Sequence, residues 1–235
     1  VFEQNVTGRV PSVDITDTEN TRHRLWGIEE QDILDFIESG MRGEDLFIAD
    51  GHHRYEVSCA YRDEMCLKLK DKFSEDSSFN YTLSYFTSAD QRGLSIMPIH
   101  RIVRLAQEIP ADSLLKDIKE SFDLEKIKDK NRFFFLLEKG GSCEHVIGMY
   151  RDKSYFLLRL KNIRILDKEM GDKPKEYRSL DVAILNQLIF KKILGITPDD
   201  KDVIRYSANP EECIEESDSD PKVLAFFLNP VKIEN

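Results

Sequence analysis

One stretch of the chain constrains its fold more than any other. A short apolar run, residues 46–49, is followed at once by Asp-Gly-His-His-Arg at residues 50–54. Behind this polar segment an apolar residue recurs every four positions, at Val57, Tyr61, Met65 and Leu69. A short, wholly apolar run is typical of a buried strand, and the four-residue spacing is typical of a helix with one packed face. The stretch therefore predicts a strand, a tight turn and a helix.

The polar segment falls at or near the predicted helix N-terminus. Unpaired backbone N–H groups and the positive end of the helix dipole favour an anion at such a position. Gly51 allows close backbone approach, and the guanidinium of Arg54 can donate two hydrogen bonds to a phosphate. These features favour an anion or metal site, while the alternative is a surface turn whose histidines are merely polar.

Individual roles follow from side-chain chemistry. Arg54 has the most specific role, as a phosphate contact, and His53 is a donor to the same anion. His52 could be a second donor, a proton carrier, a metal ligand or an exposed turn residue. Asp50 could cap the helix, hold Mg²⁺ beside a triphosphate, or take a proton from a hydroxyl substrate. Asp50 and His52 are therefore the candidate catalytic residues.

The segment and its flanks resemble the signature of the bacterial and archaeal domain-of-unknown-function 1015 family. Further stretches that resemble this family are residues 23–26, 98–101, 180–182 and 225–230, so the resemblance covers nearly the whole chain. The central motif is similar to the phosphate-binding box of the ParB/sulfiredoxin superfamily, which includes free serine kinases. The resemblance implies a phosphate-binding strand, turn and helix in the first half and nucleotide or phosphate handling, with the reaction left open. Sulfiredoxin has its catalytic Cys where this chain has His52, so thiol chemistry does not carry over.

Composition narrows the function classes. The formal charge of −10 argues against a general nucleic-acid surface, because such surfaces depend on clustered Lys and Arg. The four cysteines are scattered at positions 59, 66, 143 and 213 without a Cys-x-x-Cys pair. This pattern fits reduced thiols and a cytoplasmic protein better than a disulfide framework.

No apolar run has the length of a membrane span. The chain begins with Val1, and we expect a fragment of a longer protein with an undetermined oligomeric state.

Periodicity predicts a mixed α+β fold of the α/β class. In the first half we expect a hairpin from residues 13–16 and 21–28, a helix over 29–39, and strands over 79–87 and 94–99, with a turn at 89–93. A strand, helix and strand in succession are consistent with a crossover unit. The pattern of predicted elements changes near Leu105. This change predicts one region over 1–105 and an α/β region over 106–235.

The second half alternates predicted helices and strands. We expect a helix around residues 115–122, a helix over 131–139, and a hairpin from 145–150 and 154–160. A polar loop over 170–175 precedes a helix that is capped by Ser179 and stopped by Gly195. Strands over 203–206 and 223–228 flank a short helix from Pro210, and the run 215–220 is expected to be a solvated acidic loop.

Two other His-Arg pairs are weaker candidates. His23-Arg24 and His100-Arg101 each lie at or near a predicted strand end, where a single pair is most often an exposed or ion-paired surface feature. If both converge with the central segment, they form a cationic pocket that selects an anionic ligand in an acidic protein. In that arrangement all four residues contact the bound cofactor. Trp26 is expected to be a core residue.

Three functions remain open. The favoured function is a phosphotransferase or nucleotide hydrolase that acts on a small molecule with ATP or ADP, or with CTP as the alternative, and Mg²⁺. The second is a metal-dependent hydrolase whose ligands come from four histidines and one aspartate: His23, His52, His53, His100 and Asp50. Adjacent histidines on a helix point about 100° apart, which argues against a shared ion. The third is a non-catalytic, nucleotide-gated binding module.

We predict that ligand binding requires no thiol, because His52 occupies the position of the sulfiredoxin cysteine. Replacing all four cysteines with serine is expected to leave the affinity for a phosphate ligand unchanged when measured by calorimetry. Loss of binding in a variant whose circular dichroism shows a folded chain would contradict this prediction.

Overall fold

Contacts within the chain divide it into a first unit, Val1–Tyr85, and a second unit, Phe86–Asn235. The computed structural model describes residues 2–18, 20–72, 74–88, 96–141, 143–197, 200 and 202–231. The boundary predicted from the sequence lay later, after residue 105. The difference arises because the strand His100–Arg104 pairs with two strands of the second unit and so belongs to that unit.

The first unit combines a hairpin with helices. Its elements are α1 (Phe2–Val6), β1 (Val13–Thr16), β2 (Arg22–Leu25), α2 (Gln31–Met41), α3 (His52–Leu69) and short 3-10 helices at Lys70–Lys72 and Ser78–Asn80. The predicted hairpin is confirmed: β1 and β2 pair antiparallel, and the Asp17 carboxylate accepts a hydrogen bond from the Thr21 N–H at 2.9 Å. The predicted helices are also confirmed as α2 and α3, with α2 beginning and ending about two residues late.

Two predicted strands of the first unit are irregular in the structure. Residues 46–49 and 81–87 are not strands, and the stretch before Gly51 is therefore a loop that leads into α3. A strand requires a ladder partner, and in the described part of the first unit only β1 and β2 pair with each other. Apolar side chains in these loops consequently remain in solvent; Phe47 is 85% exposed and Tyr85 is 92% exposed.

The predicted crossover unit is also wrong. The predicted turn 89–93 and the first two residues of the predicted strand 94–99 lie outside the described residues. Residues 96–99 are irregular, and the strand begins only at His100. Every strand pairing in the described ranges is antiparallel, whereas a crossover joins parallel strands.

The second unit is built on one antiparallel sheet. Its elements are β3 (His100–Arg104), α4 (Ala111–Ser121), β4 (Phe122–Ile127), α5 (Lys130–Gly140), β5 (Val146–Arg151), β6 (Ser154–Leu160), α6 (Arg164–Glu169), α7 (Lys175–Arg178), α8 (Asp181–Ile184) with a π-helical continuation (Leu185–Leu194), β7 (Ile204–Ser207), α9 (Pro210–Ser219) and β8 (Val223–Phe227). The six strands lie in the order β4-β6-β5-β8-β3-β7. This mixed α+β architecture confirms the predicted fold class.

Helices cover both faces of the sheet. The sequence of β8 is apolar throughout because both faces of the strand are buried. Leu224 and Phe226 pack in one core cluster, and Ala225 and Phe227 pack in the other. Successive side chains of a strand point to opposite faces, so a strand buried on both faces reads as a continuous apolar run. The first cluster is closed by α4, α6 and the α8 helix with its continuation, and the second by α5 and α9.

Most predicted elements of the second unit are confirmed. These are the helices α4, α5 and α8 with its continuation, the short helix α9 from Pro210, the β5–β6 hairpin, and the strands β7 and β8. Gly195 ends the π-helical segment in the left-handed conformation, with φ of 67°, as a C-terminal glycine does. Strand β4 and the short helices α6 and α7 were not predicted. The predicted cap is wrong because Ser179 follows α7 and its hydroxyl donates to the carbonyl of Glu176.

The acidic run 215–220 is not a solvated loop, because α9 extends to Ser219. Three of its four carboxylates have partners that offset their mutual repulsion. Glu216 pairs with Arg205, Asp218 accepts a hydrogen bond from the Tyr150 hydroxyl, and Asp220 pairs with Arg104. Tertiary ion pairs thus allow a helix where charge density alone predicts a loop.

All four cysteines are free thiols in the structure. Cys213 is buried on α9, and burial raises its pKa to about 11, so the protonated thiol is the stable form at neutral pH. No helix in the described ranges is both long and apolar enough to cross a membrane.

We predict that Gly148→Ala destabilises the second unit. A Cβ atom at Gly148 in β5 would lie 2.5 Å from Cζ of Phe133 and 3.0 Å from Cβ of Phe227. Overpacking of this kind costs about 1–3 kcal/mol, which should lower the urea midpoint followed by far-UV circular dichroism. Gly40→Ala is the matched control, since no atom other than its chain neighbours and its own helix backbone lies within 4 Å of the added Cβ, and alanine favours a helix. An unchanged midpoint for Gly148→Ala would contradict the packing of β5.

Candidate anion site at the start of helix α3

Gly51 directs the chain from the irregular loop into α3. It is the N-cap residue and has a left-handed backbone with φ of 86°, which favours glycine because other residues have a Cβ. The Tyr55 N–H donates to the Gly51 carbonyl at 3.0 Å and closes the first helical turn. A Cβ at Gly51 would lie 3.0 Å from Nη2 of Arg54, so the absent side chain lets the guanidinium fold over the helix start.

The start of α3 has an unusual charge distribution. The helix is 18 residues long, its N-cap makes no side-chain hydrogen bond, and its first turn contains no acidic residue. His52, His53 and Arg54 occupy that turn instead. Acidic side chains stabilise helix N-termini and basic ones do not, because the N-terminus carries a partial positive charge. A bound anion would accept hydrogen bonds from the free N–H groups of this turn and from its basic side chains.

The partners of the segment are exposed and therefore weakly held. Arg54 Nη2 lies 2.8 Å from the Asp50 carboxylate, with the two side chains 81% and 91% exposed. His53 Nδ1 lies 3.5 Å from the Glu56 carboxylate. Ion pairs in solvent contribute about 0–1 kcal/mol, so an incoming phosphate can displace Asp50 from Arg54. Of the three roles considered for Asp50, helix capping is absent, since the N-cap residue is Gly51 and no side chain makes a capping hydrogen bond.

The pair His23-Arg24 lies on the exposed strand β2 of the first unit. His23 Nε2 lies 2.7 Å from the Asp17 carboxylate, and the Arg24 guanidinium lies 5.3 Å from the centre of the Trp26 ring. Trp26, predicted as a core residue, is half-buried and donates to the Arg9 carbonyl at 3.1 Å. In the described ranges no hydrogen bond or ion pair joins His23 or Arg24 to the segment 50–54.

The third pair, His100-Arg101, lies in the second unit at the start of β3. Because these neighbours point to opposite faces of the strand, their side chains have different surroundings. The ring of His100 is buried 5.1 Å from that of Phe227, and its Nδ1 accepts the Leu228 N–H at 3.4 Å. Burial, with a smaller effect from the neighbouring Arg101 charge, lowers the pKa of His100 to about 4, so His100 is neutral at pH 7.

Arg101 therefore carries the charge of this pair. Its guanidinium lies 4.9 Å from the centre of the Tyr206 ring and donates to the Ile99 carbonyl. Burial lowers the pKa of Arg101, but a guanidinium remains charged at neutral pH.

The structure also shows groups that the sequence did not bring together. His145 Nδ1 lies 2.8 Å from the Asp181 carboxylate, and both side chains are mostly buried. The two residues are 36 positions apart in the chain, and no local sequence pattern pairs them. Within the described part of the chain, no group of three or more His, Cys, Asp or Glu side chains could hold a metal ion.

Comparisons with known proteins identify the family. Residues 1–183 match the family described as protein of unknown function (DUF1015), and the chain belongs to this family. No curated protein and no solved structure gave a match.

We predict that His100 makes folding stability depend on acidity. Its ordinary pKa is 6.5 and its folded pKa is about 4, so the unfolded chain binds a proton that the folded chain does not bind between these values. Its contribution to stability is complete above about pH 6.5 and falls as the pH decreases toward 4. The urea midpoint of His100→Gln should therefore decline less than that of the wild type over this range. The exposed control His53→Gln should follow the wild type, and identical slopes for all three proteins would contradict the prediction.

Proposed function

We propose that residues 50–54 bind the phosphates of a nucleotide and that the protein is a phosphotransferase or a nucleotide hydrolase acting on a small molecule. The observation that carries this proposal is the basic first turn of α3, which has neither an acidic residue nor a side-chain cap. An anion with several oxygens is the ligand that satisfies such a terminus. The cofactors that match the resemblance to nucleotide-handling proteins are ATP or ADP, or CTP as the alternative, with Mg²⁺.

Binding would use backbone and side chain together. The free N–H groups of the first turn of α3 would donate to one phosphate, and Arg54 would turn from Asp50 to donate two parallel hydrogen bonds to it. His53, whose side chain is 98% exposed, would donate to the same group. Arg54 makes one hydrogen bond to Asp50 and would make two parallel ones to a phosphate, so the exchange of partners favours the bound state.

The release of Asp50 from Arg54 would free a carboxylate that could take part in catalysis. A free carboxylate beside a bound polyphosphate could hold Mg²⁺, which would offset phosphate charge during transfer. Alternatively it could accept the proton of a hydroxyl acceptor. His52, next to Gly51 and exposed, could carry a proton to or from the reacting groups. Arg24, on the hairpin of the same unit, is a further proposed contact to the anionic ligand.

The alternatives use the same residues differently. A metal-dependent hydrolase needs at least three converging ligands, and the described residues provide no such group, so this function has less support. A nucleotide-gated binding module would use the same phosphate site without turnover. Release of inorganic phosphate under steady-state conditions separates the favoured function from this module.

We predict that Arg54→Ala loses nucleotide binding but not folding. Charge-assisted hydrogen bonds contribute about 1.5–3 kcal/mol, so the loss should weaken ADP affinity about tenfold to a few hundredfold. Ligand at about 100 times its dissociation constant adds roughly 2.7 kcal/mol to stability, or several degrees of melting temperature. The variant should lose most of this shift, and Arg54→Lys should recover only part because an ammonium lacks the planar donor pair.

Arg42 provides the matched control. It forms the same kind of exposed pair, with Glu38 four residues earlier at 2.7 Å, but it lies at the end of α2. Arg42→Ala should melt and bind ADP as the wild type does. If Arg54→Ala instead melts far lower without ligand and binds normally when folded, Arg54 is a structural residue and the phosphate site is wrong.

A further inference from the structure

A shallow hollow lies beside α3 in the first unit. It is lined by Ser58 and Tyr61 of the helix, by Ser78 and Phe79 of the 3-10 helix Ser78–Asn80, and by Tyr81 directly after it. Its volume is about 270 Å³. Tyr61 is 53% exposed and Tyr81 is 66% exposed. Large aromatic side chains that remain this exposed in a concave surface offer ring faces to a flat ligand.

The hollow lies on the same face of α3 as Arg54. Arg54, Ser58 and Tyr61 are spaced by four and then three residues, the spacing that places side chains along one side of a helix. At 1.5 Å per residue, Arg54 and Tyr61 are roughly 10 Å apart along the axis. This is about the length of an extended nucleoside diphosphate from its last phosphate to its base. Ser58 joins the two regions directly, because its hydroxyl donates to the Arg54 carbonyl at 2.8 Å.

We propose that this hollow binds the base of the nucleotide whose phosphates lie at residues 50–54. The inference rests on the proposed function and adds where the nucleoside lies. Aromatic side chains stack on any base, since every base has a π-face. The hydroxyl oxygen of Ser58, which already donates its proton, can accept a hydrogen bond from an exocyclic amine. Stacking with hydroxyl contacts discriminates little among bases, so ADP and CDP should bind with similar affinity.

A second hollow farther along α3 is less suitable. It measures about 440 Å³ and is lined by Arg62, Asp63, Cys66, Glu75 and Asn80. It offers no aromatic face for stacking, and its two carboxylates would repel a phosphate chain. The aromatic hollow is both closer to Arg54 and chemically matched to a base.

Calorimetric titrations of the protein with ADP, CDP and pyrophosphate test the inference. ADP and CDP should bind the wild type about tenfold or more tightly than pyrophosphate, which lacks a base. Tyr61→Ala should weaken ADP binding about tenfold and leave pyrophosphate binding unchanged. Tyr61→Phe should keep most of the ADP affinity, because it keeps the ring. Tyr85→Ala is the control, since Tyr85 is 92% exposed and does not line the hollow.

The outcomes separate the two proposals. If pyrophosphate binds as tightly as ADP, or if Tyr61→Ala binds ADP as the wild type does, the base site is wrong while the phosphate site stands. If Tyr61→Ala weakens ADP and pyrophosphate equally, Tyr61 supports the helix start rather than a base, which also overturns the inference. If none of the three ligands binds, the proposed function fails and the base site fails with it.

Discussion

Burial of strand β8 on both faces is the constraint on which the second unit depends. Phe226 packs in one core cluster and Phe227 in the other, so a single strand joins the two cores. Neighbouring strands on either side, β5 and β3, pair antiparallel with it. Gly148 of β5 leaves the space that Phe133 and Phe227 occupy. The same arrangement buries His100 against Phe227, which is why this histidine is neutral rather than a cationic contact.

The first unit differs from the second in how far its side chains are buried. Among its residues whose exposure the structure describes, none is buried, and apolar side chains of α3 and the adjoining loops are in solvent. The candidate site is formed by local structure: a left-handed glycine, a helix start without a cap and a basic first turn. Helix-terminus electrostatics act within the first turn, so this part of the site does not require a packed core.

The proposed function and the proposed base site use one helix for two tasks. The terminus of α3 offers backbone donors to phosphate, and its side, two turns later, offers an aromatic ring. The rise per residue of the helix sets the distance between the phosphate donors and the aromatic ring, and this distance is about the length of the proposed nucleotide. His23-Arg24 remains tied to Asp17 and Trp26 on the hairpin, and its contribution stays a proposal.

The sequence by itself determined the elements whose signals are local. Helix α3 follows from four-residue periodicity, the start of α3 from Asp-Gly and a run of donors, and the hairpins from turn residues between alternating strands. Only the tertiary structure decided which apolar runs become strands, because a strand needs a hydrogen-bonded neighbour. The run 223–227 pairs with two strands, whereas residues 46–49 pair with no strand in the described part of the chain. Tertiary contacts likewise decided the protonation of His100, the pairing of His145 with Asp181, and the helical state of the acidic run in α9. These properties arise from residues far apart in the chain, and no local pattern encodes them.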